Sequence, residues 1–259
     1  MNQKQIEKEY AKMIKAEGAF LDQNLHRKVS NWQEKISKHV PEKLNDTLNT
    51  AFFKAFELIF EKGTGIIEKT YNREKKEQDY KINEYAAELK NSRKTMRAFS
   101  KQASVSKNIN MAISTLEGVG MGVLGLGIPD IPVFLAVLLK SIYEIALSYG
   151  FHYDSEEEQI FILRIIETAL SHEEDLMTGN MELNSWLKEP KPFEISRTEQ
   201  IRRTSDALSE EMLYLKFVQG MPVIGVVGGL SDMVYQKKIT DYAAIKYKRR
   251  FLEGKKEIL

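Results

Sequence analysis

The stretch "GMGVLGLGIPD", residues 120–130, lies inside a run from Gly118 to Leu139 whose only charge is Asp130, and it places four glycines before a proline and that acid. Glycine buries little surface and costs a helix interior up to about 1 kcal/mol against alanine. Its repeated use in the most apolar segment therefore calls for a packing reason. At about 100° per residue, Gly118, Gly122 and Gly125 fall on one face of a helix, and Gly120 and Gly127 on the opposite face. Small residues at that spacing let helix backbones approach closely, in lipid or in a tight soluble crossing. Gly225, Gly228 and Gly229, within "GMPVIGVVGGLSD", repeat the device about a hundred residues later, and the natural partner for one glycine face is the other. Pro129 disfavours helical geometry at Ile128, and Asp130 can cap a new helix with Pro132 near its start. "GIPD" thus reads as a corner between two helices.

Outward from that corner, apolar residues recur at helical spacing almost everywhere, only six prolines occur, and strand-like alternation is scarce. The fold class expected is all-α, a multi-helix bundle with two central glycine-rich apolar segments. Ile6, Tyr10, Met13, Ile14, Phe20 and Leu21 form one stripe; Trp32, Ile36 and Val40 carry a second helix to Pro41; Leu44, Leu48, Phe52, Phe56 and Phe60 form a third face that "KGTG" ends. Residues 66–97 are dense in charge and read as a solvated helical arm with Tyr71, Ile82, Tyr85 and Leu89 turned inward. Residues 1–100 make an N-terminal helical region and 101–259 a glycine-rich core. Ser155 and Glu158 have capping-box spacing before Ile160, Phe161, Leu163 and Ile166. Residues 172–197, with Gly179, Pro190 and Pro192, read as an irregular excursion in which leucine at Gly179 would be harmless. Ile201, Leu208, Met212 and Leu215 then lead into the second glycine run and a basic helical tail.

Composition narrows the function. The 38 basic and 37 acidic residues nearly cancel, so no global field selects nucleic acid. Without cysteine there is no thiolate nucleophile, disulfide or cysteine-ligated zinc. The charged start "MNQKQIEKEYAKM" lacks the apolar core of an export signal, which points to the cytoplasm. "GMGVLG" fits a G-x-G-x-x-G pattern, but helix-like sequence precedes it where a dinucleotide site needs a strand. "SHEED", residues 171–175, clusters His172 with three acids whose consecutive positions point apart on a helix, so neither a metal nor a cofactor is called for. No catalytic motif appears.

From Gly118 to Leu139 the only charge is Asp130, and that length of straight helix would rise about 33 Å, enough for a bilayer core of about 30 Å. An acid near the middle and two prolines oppose a simple span. Two readings follow: a buried helical hairpin in a soluble bundle, or a hairpin that dips into one leaflet from the cytoplasmic side. Lys140 and Glu144 lie four apart near the corner, either as an ordinary ion pair on a helix face or as part of a polar cluster with Asp130 and Asp232. In the tail, Lys246, Lys248, Arg249 and Arg250 could meet anionic headgroups, or answer their own helix dipole.

These residues resemble the EcsC family of bacterial proteins. The first matching block is Gly122, Gly125, Asp130 and Pro132, followed by Lys140, Ile142, Ala146 and Tyr149-Gly150; the second is "PVIGVVGG" with Tyr235, Ala243 and "RRFL". The resemblance covers roughly residues 30–253. It implies a helical bacterial protein of unassigned biochemistry, named for a gene that accompanies an ABC transporter, and it supplies no catalytic residues. Two functions are carried forward: a non-enzymatic accessory protein at the cytoplasmic membrane face, with an anionic membrane surface or a membrane protein complex as partner, and an enzyme or ligand-binding protein with a site at Asp130, Lys140 and Asp232.

Overall fold

The computed structural model describes residues 3–25, 42–61, 65–68, 71–89, 130–218 and 230–257. Among them every regular element is helical: α1 (Gln3–Leu25), α2 (Glu42–Glu61), α3 (Gly65–Glu68), α4 (Arg73–Leu89), α5 (Asp130–Ser148), α6 (Glu156–Leu170), α7 (Glu173–Lys188), α8 (Arg197–Val218) and α9 (Leu230–Glu257). The expected all-α bundle is the fold observed. Gly118, Gly122, Gly125, Gly225 and Gly229, the expected crossing of their faces and the helix through Trp32 lie outside the described residues.

Two long helices organise the core. α5 packs against α2, α3, α4 and α9, while α9 packs against α1, α5, α6 and α7. α5 is long and apolar enough to cross a membrane, yet 89% of its apolar window is buried in the bundle. α5 and α9 run parallel: Gln236 meets Ser141 at 3.2 Å, and farther along both helices the Tyr149 and Phe251 rings lie 5.8 Å apart. α6 runs against α9, because Glu158 at its start holds Arg250 near the end of α9. α8 also runs against α9, since Tyr235 donates to the Glu211 carbonyl. One end of the bundle therefore gathers the first turns of α5 and α9 with the last turns of α6 and α8. Both glycine-rich runs of the sequence join the described helices at that end.

Several local readings hold. Leu48, Phe52, Phe56 and Phe60 are buried along α2, and the Ser155 hydroxyl accepts from the Glu158 amide at the start of α6. The Glu158 carboxylate does not complete the box; it turns inward to Tyr247 and Arg250. In α8, Thr204, Ser205 and Ser209 are buried with Ile201, Leu208 and Met212, each donating to the carbonyl four residues back. Bonds to their own helix let these small hydroxyls be buried, with Thr204 also 3.2 Å from the Leu163 carbonyl of α6, which suits a helix wedged between α2 and α6.

Three readings are corrected. Residues 173–188 form α7, so Gly179 is helical, and a Cβ there would lie 2.7 Å from Thr168 Oγ1 on α6. On α4 the inward positions are Tyr80 and Ala87, whereas Ile82 and Tyr85 stand 64% and 62% exposed. α1 turns Ile6, Glu9, Met13, Glu17 and Phe20 inward and leaves Ile14 outside. The stripe includes two acids because α9 presents matching cations.

Candidate functional site

Lys140 and Glu144 are not a surface pair. They lie 3.2 Å apart on adjacent turns of α5 with 3% and 2% of their surfaces exposed. Taking two charges from water is costly, and their attraction offsets the cost only when remaining hydrogen-bonding capacity is also met. Here it is not: the second Glu144 oxygen, Oε2, and the buried Tyr143 hydroxyl have no hydrogen-bond partner among the described residues. Each such buried group costs about 1–3 kcal/mol. The Lys140 ammonium also lies 5.8 Å from the centre of the Tyr71 ring.

Beside this pair, and joined to it by ring contacts only, a hydrogen-bonded chain runs to the surface. The Tyr143 ring stacks on Tyr153 at 4.0 Å. Tyr153 donates its only hydroxyl proton to Glu68 at 2.7 Å, so Tyr71, 2.5 Å away, is the donor to Tyr153. Arg73 closes the chain with Glu68 at 2.7 Å, Glu77 at 2.9 Å and Asp154 at 2.6 Å. Burial pushes the phenols of Tyr71, Tyr143 and Tyr153 above their ordinary range, and the Glu68 carboxylate, to which Tyr153 donates, raises Tyr153 further. The hydrogen bond to Asp154 and those to Glu77 and Glu68 hold Arg73 protonated. These phenols are donors and not bases. Glu144 Oε2 remains an acceptor and the Tyr143 hydroxyl a donor that no described residue engages.

The four tail cations point into the fold. Lys246 is fully buried and donates to Glu17 at 2.5 Å, Asn180 at 2.6 Å and Asn184 at 2.7 Å, which uses all three of its protons. Arg249, 4% exposed, binds the other Glu17 oxygen and Tyr10. Lys248 meets Glu9 at 2.9 Å, and Arg250 meets Glu158 at 2.6 Å. α9 is enclosed by α1, α6 and α7, so consecutive cations face different neighbours and brace the bundle from inside. This placement leaves none of the four without a carboxylate, which moves the expected headgroup contact away from the tail.

Asp130 and Asp232 occupy the first turns of α5 and α9 at the same end of the bundle, and their side chains lie outside the described residues. Lys140 is joined with Glu144, its partner in the expected cluster, and with the Tyr71 ring. His172 pairs with Glu211 at 2.9 Å, and no group of three histidines or acids among the described residues could hold a metal. Sequence reading missed Glu68, Tyr71, Arg73, Tyr153 and Asp154 as a set, because two distant segments supply them. It also missed Glu9 and Glu17, although acids at inward positions of α1 were a usable signal.

A family model described as the EcsC protein family matches residues 3–252, nearly the whole of this arrangement. The chain belongs to the EcsC family. It is 24% identical over 224 residues to the protein EcsC of Bacillus subtilis (strain 168), covering 85% of this chain and 84% of that one. No solved structure matches. Two blocks that carry the EcsC resemblance meet in space, Tyr149-Gly150 after α5 and Arg249 to Leu252 on α9, through the Tyr149 and Phe251 rings.

Proposed function

We propose that this EcsC-family protein is a non-catalytic accessory protein at the cytoplasmic membrane face, and that it engages lipid through its two glycine-rich runs. One observation carries the reading: α5 and α9 pack in parallel, so both runs join the bundle at the same end. Two uncharged runs at one end can act on one surface, where runs at opposite ends could not. The internal pairing of Lys246, Lys248 and Arg249 supports apolar insertion rather than charge as the means of contact. Flotation of the full chain with vesicles of phosphatidylcholine, with and without phosphatidylglycerol, tests it. Protein should float with both and remain bound at high salt, and V123D/L124D should stay at the bottom with an unchanged melting temperature. Folded parent protein that never floats would end the proposal.

A second reading rests on the unpaired Glu144 oxygen and Tyr143 hydroxyl. It makes the Lys140–Glu144–Tyr143 group a receptor for a small polar ligand, with Asp130 and Asp232 as further candidates. Increased thermal stability of the parent, but not of Glu144→Gln, in a screen of polar metabolites would support it. A screen without any such differential shift would leave these groups as buried bracing.

A further inference from the structure

A cleft of about 330 Å³ opens on the side of the bundle between the end of α5, the end of α7 and the last turns of α9. Tyr149, Phe151 and Phe251 line it with Leu187, and Arg250 and Lys255 add two cations to the same wall. The Arg250 guanidinium sits among three rings, with Phe151, Trp186 and Phe161 centred 4.3, 5.1 and 5.2 Å from its Cζ. Only its Nη1 is engaged, by Glu158; Nε and Nη2 donate to no described residue. Lys255 uses one proton on Glu84 at 2.8 Å. A guanidinium edge with two donors that no described residue engages matches a carboxylate or phosphate. Clefts of this size with apolar walls and a few fixed polar groups are the usual form of small-molecule sites.

We infer that this cleft is a binding site for a small amphipathic anion, its acidic group on the free edge of Arg250 beside Lys255 and its apolar body against Tyr149, Phe151 and Phe251. The inference is independent of lipid contact, since the cleft lies where α9 ends and the glycine runs join where α9 begins. Gly254 lines the cleft, and a Cβ there would meet nothing within 4 Å. A leucine at this position should therefore fill the cleft without disturbing the fold.

The test uses 3-phenylpropanoate as probe, with Trp186 fluorescence as the signal in a Trp32→Phe background. The parent should show a saturable change, with 3-phenylpropan-1-ol at least tenfold weaker. Gly254→Leu should weaken phenylpropanoate at least tenfold with a melting temperature no lower than the parent, and Gly18→Leu, also in open space but on α1, should bind as the parent does. Should Gly254→Leu fail to fold, Arg250→Lys decides, because loss of the paired donors should weaken phenylpropanoate at least tenfold while leaving the alcohol as in the parent. Absence of saturation in the parent, equal binding of acid and alcohol, or full binding by folded Gly254→Leu would overturn the assignment.

Discussion

Gln236 on α9 donates to the Ser141 hydroxyl on α5 across 3.2 Å, and this contact fixes the register of the two central helices. With Tyr149 against Phe251 farther along, it makes the pair parallel. At 1.5 Å per residue, position 133 should then lie about 8 Å along the axis from position 233 and about 39 Å from position 254. The chain has no cysteine of its own, so spin labels at introduced cysteines report these distances directly. A shorter separation for 133–254 than for 133–233 would reverse the helix direction and remove the shared end.

Glu17 answers two buried cations, so Glu17→Gln should cost about 3–5 kcal/mol, the usual loss when one partner of a buried ion pair is removed. Burial alone would raise the Glu17 carboxyl, but the charges of Lys246 and Arg249, hydrogen-bonded to it, outweigh burial and hold it below the ordinary carboxylate range. The unfolded chain then binds more protons than the folded one between the lowered folded pKa and about 4.5, so stability rises with pH through that window and is lost as pH falls through it. Burial pushes Lys246 down to about 8 despite Glu17. Between pH 8 and 10.5 the unfolded chain again holds the extra proton, and this group adds stability as pH rises. Urea midpoints of parent and Glu17→Gln against pH should show the acid slope flattened in the variant.

Two glycines are placed where a side chain cannot go. Gly150 has φ +83°, and a Cβ would lie 2.4 Å from the Tyr80 ring; Gly179 brings α7 against Thr168 on α6. Gly150→Ala and Gly179→Leu should each lose about 1–3 kcal/mol through strain and overpacking. Gly18→Leu, in open space, should not. Thermal melts of the three variants check this, and equal melting temperatures would refute the close approach.

Lys140→Met leaves the Glu144 carboxylate buried without its cation and should cost about 3–5 kcal/mol, while the K140M/E144L double variant should recover most of it. A double-mutant cycle reads the coupling. If the double variant is as stable as the parent and still floats with vesicles, the pair has no part in lipid contact.

Legibility followed the range of the interaction. Four-residue spacing revealed the buried face of α2, and the Ser155 cap marked the start of α6, because both are decided within one or two turns. Gly179, Pro190 and Pro192 suggested a loop, but packing of Leu176, Leu183 and Leu187 overrides the propensity cost and makes α7. Ile82 and Tyr85 looked inward by hydrophobicity, yet α4 turns Tyr80 and Ala87 to α5 instead. Lys140 and Glu144 were legible as a pair from their spacing, and their burial was not, since the ring beside Lys140 comes from Tyr71, far away in sequence. The basic tail was legible as basic; its direction was set by Glu9, Glu17 and Glu158, far away in sequence.

The central claim is that the two glycine-rich runs touch lipid together, and an environment-sensitive probe at each run tests it most directly. Single cysteines at Leu124 and Val226, labelled with a nitrobenzoxadiazole dye, are compared with one at exposed Ile82. On adding phosphatidylcholine vesicles, the emission at both 124 and 226 should shift to the blue and rise several-fold, while that at 82 stays constant. Unchanged emission at 124 and 226 in protein that keeps its melting temperature would contradict the account.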